Sequence, residues 1–268
     1  MSCPTSARRR APSLAQSLTL GLLHGPAELL PISSSAHTTL LPWLLGWDYV
    51  DQDPELRKGL EVALHAGAAA ALVIDARHER SSRVDRRYAA FVAISSIPPA
   101  LAGLMFKARI ERRLGTAPTI AAGLIAGALT MLRADRAPEA RRAGDAGLGD
   151  ALWLGLAQAS ALVPGVSRSG ATLAAARLRR FTRADAARLS HDVGLPVIVG
   201  AAGLQAAGLA RQRMDPGWRG ALAVGGGSSL GSTLIATRVI RPDAGRRLSG
   251  WAAYRLALAG LILVRLRA

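Results

Sequence analysis

Long apolar segments with few charged residues constrain the fold of this chain more than any other feature of its sequence. A helix needs about 20 predominantly apolar residues to cross the hydrocarbon core of a bilayer. The segments that meet or approach this length lie at 60–75, 88–106, 117–132, 193–211, 219–237 and 250–265. Hydrophobic residues make up 50% of the chain and charged residues 19%, and the charges concentrate between the segments. The pattern predicts an all-α integral membrane protein, a polytopic helical bundle.

The basic residues indicate a membrane environment rather than a nucleic-acid partner. The 34 lysines and arginines exceed the 18 acidic residues, which gives a formal net charge of +16. The arginines form clusters at the ends of apolar segments, at 8–10, 77–87, 107–113, 133–142, 177–183 and 241–247. Such clusters are typical of loops that contact anionic lipid headgroups, whereas a nucleic-acid-binding surface gathers its charge in one patch or stripe. We therefore expect membrane lipids as partners and no nucleic acid.

The N-terminal residues 1–13 form a basic tail. The apolar segment that follows carries His24 and Glu28 and has no convincing small-residue cleavage site, so we predict that no signal peptide is removed. Cys3 is the only cysteine and forms no intrachain disulfide. We expect residues 14–268 to form a single transmembrane domain.

Two further apolar segments, 14–31 and 150–164, are each followed by a break rich in proline, glycine and serine and by a second short apolar run. Residues 21–38 (GLLHGPAELLPISSSAHT) and 155–172 (GLAQASALVPGVSRSGAT) match at six of eighteen positions, at an offset of 134 residues, half of the chain. Chance similarity competes with this match in a chain rich in alanine, glycine and leucine. The shared interruption nevertheless favours an internal repeat.

Broken apolar segments at matched positions of two halves indicate a binding site at the repeat interface. Irregular backbone is tolerated at membrane depth only where it is buried in protein or lines a wet cavity. We therefore predict that PISSSAH at 31–37 and PGVSRSGAT at 164–172 face each other across a polar cavity. Arg168 offers a planar fork suited to phosphate oxygens. Further donors for an oxyanion or phosphate come from backbone N–H groups and from Ser167, Ser169 and Thr172.

The first motif supplies the candidate reacting groups of this cavity. Ser34 is a candidate nucleophile, and His37, three residues on, is a candidate base or acid. Glu28 would orient the imidazole or hold a divalent cation. Ser34 and His37 share a face only if their turn is helical, because residues three apart are neighbours on a helix surface.

Each of these residues also has a purely structural interpretation. Serines in apolar helices are often small packing residues, and a lone histidine such as His24, His65 or His191 is often a hydrogen-bonded interior group. Arg168 alone would fit an interfacial arginine that extends towards the headgroups. The combination of Glu, Ser, His and Arg in two matched broken segments favours the functional interpretation.

Two motifs carry a family resemblance: ELLPISSSAH at 28–37 and PGVSRSGAT at 164–172 resemble the bacterial undecaprenyl-diphosphate phosphatases of the bacitracin-resistance type. Further likeness lies in LEVALHAG at 60–67, GLAQASALVPG at 155–165 and WAAYRLALAG at 251–260. The resemblance covers most of the chain from about residue 14 onward.

The resemblance implies an enzyme of the bacterial plasma (inner) membrane with about six full spans, re-entrant broken helices and two inverted repeats. The offset places these repeats at about 14–132 and 148–268. Such enzymes hydrolyse undecaprenyl diphosphate, a polyprenyl diphosphate lipid, to the monophosphate and phosphate with a divalent cation (Mg or Ca). This reaction recycles the lipid carrier for peptidoglycan synthesis.

Carried over by position, the resemblance makes Glu28, Ser34, His37 and Arg168 the catalytic residues, with Glu28, alone or together with His24, as the metal ligand. The implied substrate-binding residues are His24, Ser33, Gln158, Ser167, Ser169 and Thr172. His24 departs from the family pattern, which has Glu or Gln there, and an imidazole suits Mg²⁺ or Ca²⁺ less well than oxygen does. Asp192, next to His191, is also unusually polar for its place.

Two other functions are compatible with the same residues. Broken helices and inverted repeats are also transporter architecture, so a lipid-phosphate flippase or transporter is the main alternative. A lipid-binding membrane protein that has lost hydrolysis through the change at His24 is the weaker alternative. Phosphate release in detergent distinguishes an enzyme from a flippase and from a lipid-binding protein, because a detergent solution has no two compartments between which a lipid could be moved.

Overall fold

A computed structural model describes residues 11–51, 54–79, 85–211, 215–240 and 246–267. Within these ranges the backbone forms helices joined by turns, and the one β feature is an isolated bridge between Arg141 and Phe181. The predicted all-α fold is confirmed. Most of the predicted basic tail, residues 1–10, lies outside the described residues.

The order of short and long helices repeats in the two halves of the chain. In chain order they are α1 (Leu14–Leu29), α2 (Ser34–Leu44), α3 (Pro54–Glu79), α4 (Arg86–Leu114), α5 (Ala117–Asp135), α6 (Leu148–Ser160), α7 (Arg168–Leu178), α8 (Arg183–Ala210), α9 (Pro216–Ile240) and α10 (Leu248–Arg265). Short 3-10 turns lie at Asp48–Asp51 and Ala143–Asp145. Each half of the chain therefore presents two short helices followed by three longer ones.

The two broken segments fold at matching positions. α1 and α6 begin 134 residues apart, at Leu14 and Leu148. α2 and α7 also begin 134 residues apart, and each contains 11 residues. The second helix of each pair therefore starts at the same place in both copies, whereas α1, with 16 residues, runs three residues further into its break than α6, with 13.

Five helical stretches are long and apolar enough to cross a membrane: Leu56–Arg77, Arg86–Ile110, Ala117–Asp135, Arg183–Ala210 and Leu248–Arg265. The chain is thus a multi-pass membrane protein. The expected number of about six spans is not reached among the described helices, because the segment predicted at 219–237 is not one of the five. That segment forms α9, a helix of 25 residues, whose glycine, serine and threonine residues lower its hydropathy.

The described chain divides into two compact units, each built from parts of both halves of the sequence. The first unit comprises Met1–Ala27, His37–His78 and Ile198–Val239, and the second comprises Glu28–Ala36, Glu79–Val197 and Ile240–Ala268.

The first unit packs α1, α3 and α9 through small residues. Its buried apolar cluster contains Leu20, Leu60, Leu64 and Trp218. A side chain at Gly21 would place its Cβ 2.5 Å from the carbonyl oxygen of Gly225, so the two helices approach as closely as backbones allow. Ser232 Oγ donates to the carbonyl of Gly21 at 2.8 Å, and Ser229 Oγ donates to that of Leu64 at 2.7 Å. Glycine contacts and serine hydrogen bonds are the usual means of helix association in lipid.

The second unit packs α4, α6, α7 and α8 around aromatic and branched side chains. Phe91, Leu154, Phe181, Leu189 and Val193 are buried in one cluster. A second cluster joins α5, α7 and α10 through Ala128, Met131, Ala134, Ala174, Leu248 and Ala252.

A buried carboxylate anchors the start of α6. Asp150 accepts two hydrogen bonds from Arg141, at 3.0 and 2.7 Å, one from the Gly147 N–H at 3.0 Å and one from Arg179 at 2.7 Å. Burial alone would raise the pKa of Asp150, but these hydrogen bonds lower it to about 2. The carboxylate is therefore ionised at every physiological pH and holds α6 against the chain around α7.

The polar pair His191 and Asp192 lies within α8. The Tyr88 hydroxyl of α4 donates to the carboxylate of Asp192, and Arg188 lies 3.8 Å from the same carboxylate. Asp192 is thus part of the packing between α4 and α8.

Candidate active site

The break between α1 and α2 ends in a serine cap. Ser33 precedes α2 with a φ of 74°, in the left-handed region that residues other than glycine rarely adopt. Its Oγ accepts from the Ala36 N–H at 3.4 Å and lies 3.3 Å from Ser35 Oγ. Ser33 and Ser35 therefore stabilise the start of the helix, and Ser34 occupies the first helical position between them.

The break between α6 and α7 ends in the same cap. Ser167 Oγ accepts from the Gly170 N–H at 3.2 Å and lies 3.1 Å from Ser169 Oγ. Gly165 supplies the left-handed residue, with a φ of 89°. A Cβ there would lie 2.2 Å from the carbonyl oxygen of Ile120, so only glycine fits. Arg168 occupies the first helical position.

A chain of hydroxyl groups links the second break to the first. Ser169 Oγ donates to the carbonyl of Leu30 at 2.9 Å, and each hydroxyl has one proton to give. The proton in the Ser167–Ser169 contact must therefore come from Ser167. In this arrangement both serines have acceptors for their protons within the protein and help to hold the breaks. Their part in substrate binding stays a prediction.

Glu28 is the point where the two breaks meet. Ser34 Oγ donates to Glu28 Oε2 at 2.7 Å, and Arg168 Nη2 donates to Glu28 Oε1 at 3.4 Å. Glu28 is 8% exposed. The structure thus brings together three of the four predicted catalytic residues, a hydroxyl and a guanidinium on either side of one buried carboxylate.

Arg168 packs against α8, a helix that the sequence analysis did not assign to the site. Arg168 Nη1 donates to the carbonyl of Ser190 at 3.4 Å. A Cβ at Gly194 would lie 2.0 Å from Arg168 Nη1, so the absence of a side chain there leaves room for the guanidinium. Arg168 Nε is buried and has no hydrogen-bond partner among the described residues. A buried donor without a partner is expensive and indicates a place for an anionic ligand.

The two other predicted substrate-binding residues of the second copy have partners on neighbouring helices. Thr172 Oγ1 lies 2.5 Å from Ser190 Oγ and 2.9 Å from the carbonyl of Arg168. Gln158 Nε2 donates to the carbonyl of Ser95 on α4 at 3.2 Å. Gln158 Oε1 is buried without a partner in the described part of the chain. Thr172 is therefore in contact with Ser190 of α8 and with the backbone of Arg168, and Gln158 is in contact with α4.

The predicted histidines lie in the first unit. His37 is buried and follows Ser34 by three residues in α2, so the helical turn required for a shared face is present. His24 is fully buried in α1, and its ring meets that of His65 edge to face, with centroids 4.5 Å apart. His65 of α3 is a neighbour that the sequence did not assign to His24.

The arrangement around Glu28 suits phosphoryl transfer. Ser34 and Arg168 each begin a helix, and helix N-termini favour anions through their free N–H groups and the helix dipole. A hydroxyl that already donates to a carboxylate is prepared to lose its proton. A guanidinium beside it can receive the charge of a phosphoryl group.

Comparison with known proteins gives consistent matches. Residues 17–261 match the family described as bacitracin resistance protein BacA. An undecaprenyl-diphosphatase of Geobacter sulfurreducens is 37% identical over 92% of this chain and 96% of the relative. One from Pelobacter propionicus is 36% identical over 94% of this chain and 96% of the relative. Another, from Thioalkalivibrio sulfidiphilus, is 40% identical over 74% of this chain and 78% of the relative.

Proposed function

Because the chain belongs to the bacitracin resistance protein BacA family, we propose that it hydrolyses undecaprenyl diphosphate to undecaprenyl phosphate and inorganic phosphate. The observation that carries the proposal is the 2.7 Å hydrogen bond from Ser34 Oγ to Glu28, with Arg168 on the other carboxylate oxygen. We place the reaction in the bacterial plasma membrane, where it returns the lipid carrier to cell-wall synthesis.

In the first step Ser34 Oγ attacks the terminal phosphorus and gives its proton to Glu28. The bond from phosphorus to the bridging oxygen breaks as the Ser34 Oγ–P bond forms, and undecaprenyl phosphate leaves. Glu28 is the immediate proton acceptor because its Oε2 already accepts the hydroxyl hydrogen bond.

Arg168 holds the terminal phosphoryl group during this step. Its buried Nε has no partner among the described residues, and one N–H on each Nη group remains after the bonds to Ser190 and Glu28 are counted. A planar fork of such donors matches two phosphoryl oxygens. Phosphoryl transfer depends mainly on positioning and charge stabilisation, which this fork supplies.

In the second step water releases the phosphate. His37 accepts a proton from the water that attacks phosphorus, the P–Oγ bond breaks, and Glu28 returns its proton to Ser34 Oγ. Inorganic phosphate leaves, His37 gives its proton to the departing phosphate or to solvent, and one water is consumed in each cycle. The position of His37, three residues after Ser34 in α2, supports this role.

A divalent cation is part of the proposal, with Glu28 as ligand and His24, four residues earlier in α1, as a second ligand. When bound, it would stabilise negative charge on the diphosphate. A set of one carboxylate and one imidazole fits a cation that accepts nitrogen as well as oxygen, such as Mn²⁺, better than Mg²⁺ or Ca²⁺. We therefore expect more activity with Mn²⁺ than with Mg²⁺, and the reverse preference in His24→Glu.

The test is phosphate release from undecaprenyl diphosphate by the purified protein in detergent, with Mg²⁺, Ca²⁺ or Mn²⁺ in parallel. We expect release by the native protein and loss of about a thousandfold or more in Arg168→Ala. Absence of release with all three cations would contradict hydrolysis and favour a flippase or a lipid-binding protein. Normal release by Arg168→Ala would remove Arg168 from the mechanism.

A further inference from the structure

A second buried arginine lies beside the breaks. Arg255 is on α10 and is 0% exposed. Ionisable residues inside a membrane segment are costly and usually have a specific task. All five of its N–H groups have acceptors within hydrogen-bonding distance: Leu124 O at 3.3 Å, Pro31 O at 3.2 Å, Met131 Sδ at 4.0 Å, Gly123 O at 3.3 Å and Gly165 O at 2.9 Å.

Two of these acceptors belong to the two breaks. Pro31 lies between α1 and α2, and Gly165 lies between α6 and α7. Peptide groups in such breaks have lost the partners that a continuous helix would supply, and they must find others in lipid. One guanidinium supplies both, with Nη1 on Pro31 and Nη2 on Gly165.

The other acceptors fix the guanidinium itself. The carbonyls of Gly123 and Leu124 on α5 hold Nη2 and Nε. Two glycines leave space for the group: a Cβ at Gly127 would lie 2.0 Å from Arg255 Nη2, and one at Gly170 would lie 2.9 Å from Nη1. Arg255 is therefore held in a fitted position between α5 and the breaks.

We infer that Arg255 is a positioning residue that holds both breaks in register, so that Ser34 and Arg168 meet at Glu28. Its catalytic consequence rests on the proposed function, whereas its geometric consequence does not. Two other hydrogen bonds described here join the two helix pairs: the neutral contact from Ser169 to Leu30 and the contact from Arg168 to Glu28. A lysine would keep the charge but could not replace a planar five-donor group spread over these carbonyls.

The variant that tests this is Arg255→Lys, and Arg177→Lys is its matched control. Arg177 is also buried, at 1% exposed, and also donates to backbone carbonyls, those of Phe181 and Ala137. Its acceptors lie away from both breaks. The pair therefore separates loss of the link between the breaks from loss of any buried arginine.

Two readouts are measured on purified protein in detergent: amide hydrogen exchange by mass spectrometry, and kcat and KM for phosphate release. In Arg255→Lys we expect faster exchange in peptides covering 30–36 and 163–170. We also expect kcat to fall by about 100-fold, as small misplacements of reacting groups do, with KM within about threefold. In Arg177→Lys we expect faster exchange near 137 and 181 and kcat within about threefold.

A second variant covers the case in which Arg255→Lys does not fold. Gly127→Ala keeps the arginine and pushes its Nη2 away from Gly165, so it should reproduce the exchange pattern at both breaks. Native-like exchange at the breaks in the folded variants would overturn the inference, as would an equal rise along the whole chain. The exchange readout needs no turnover. Failure of the native protein to release phosphate would therefore contradict the proposed function and leave the link between the breaks still tested.

Discussion

The two broken helix pairs, α1–α2 and α6–α7, are built alike and carry different chemistry. Ser33 and Ser35 start α2 as Ser167 and Ser169 start α7, with the same contacts at the same offset. Between each pair of serines the repeats diverge, because Ser34 stands in one and Arg168 in the other. The shared residues hold the backbone, and the differing residues are the ones to which the proposed mechanism gives the chemical roles.

The starts of α1 and α6 also share one geometry but carry different side chains. Gln16 Oε1 accepts from the Ser13 N–H at 2.9 Å, and Asp150 accepts from the Gly147 N–H at 3.0 Å. Both are helix caps 134 residues apart, but Asp150 also receives two arginines. A neutral cap in the first copy is thus a charged anchor in the second.

The sharpest test of the comparison is Ser34→Ala beside Ser35→Ala. Removing the nucleophile should lower kcat by about a thousandfold or more. Removing the adjacent cap hydroxyl should change kcat by less than about tenfold, because Ser35 contacts the cap residue Ser33, whereas Ser34 donates to Glu28. Single-turnover phosphate release by both purified variants measures the difference. Similar losses in both would show that Ser34 acts through the cap, and a loss of about tenfold in Ser34→Ala would assign the attack to water.

The next test concerns the two anchors and measures stability. Asp150→Asn leaves two arginines without their carboxylate, and we expect a loss of about 2 kcal/mol, less than for a fully buried pair because the arginine side chains are partly exposed. Gln16→Ala removes only a cap, worth about 1 kcal/mol. Thermal unfolding in detergent should show a fall in Tm of about 4–8 °C for the first and about half of that for the second.

The pH dependence of stability distinguishes a charged anchor from a neutral one. The hydrogen bonds to Asp150 hold its pKa at about 2, below the ordinary value of about 3.9 for aspartate in an unfolded chain. Its contribution is therefore fully present above about pH 4 and is lost as the pH falls towards 2. Asp150→Asn should lose this part of the pH dependence and Gln16→Ala should keep it. Equal pH profiles for the two variants would contradict the charged anchor.

The smallest expected effect is at Gly194, the neighbour of Arg168, an arginine that only the second helix pair contains. Gly194→Ala places a methyl group against the Arg168 guanidinium, and we expect kcat/KM to fall by about tenfold as the fork is displaced. Gly200→Ala on the same helix is the control, since a Cβ at Gly200 meets nothing within 4 Å. Steady-state kinetics give kcat/KM for both variants. Equal kcat/KM values for Gly194→Ala and Gly200→Ala would mean that the function of Arg168 tolerates the displacement.

The sequence was sufficient to place the breaks and the residues that meet at Glu28. Proline, glycine and serine interrupt apolar runs visibly, and Glu28 and Arg168 are conspicuous there. It could not show that Ser167 and Ser169 use their protons within the protein, because that depends on the position of the Leu30 carbonyl.

The residues that the sequence missed act only through tertiary contacts. Gly194 is one of 28 glycines in the chain, and nothing local marks it as the neighbour of Arg168. Arg255 is conspicuous as an arginine inside an apolar segment, but its link to Pro31 and Gly165 depends on contacts across 224 and 90 residues of sequence. The segment predicted as a span at 219–237 is not among the five membrane-length stretches. It forms part of α9, whose small polar residues serve packing between helices and lower its hydropathy.

The short length of α7 fixes the distance between two groups of basic residues. Eleven residues of helix rise about 16 Å. Arg168 stands at the start of this helix, and the exposed Arg179 and Arg180 follow its end. A phosphoryl group held by Arg168 would therefore lie about 16 Å along the helix axis from these two arginines.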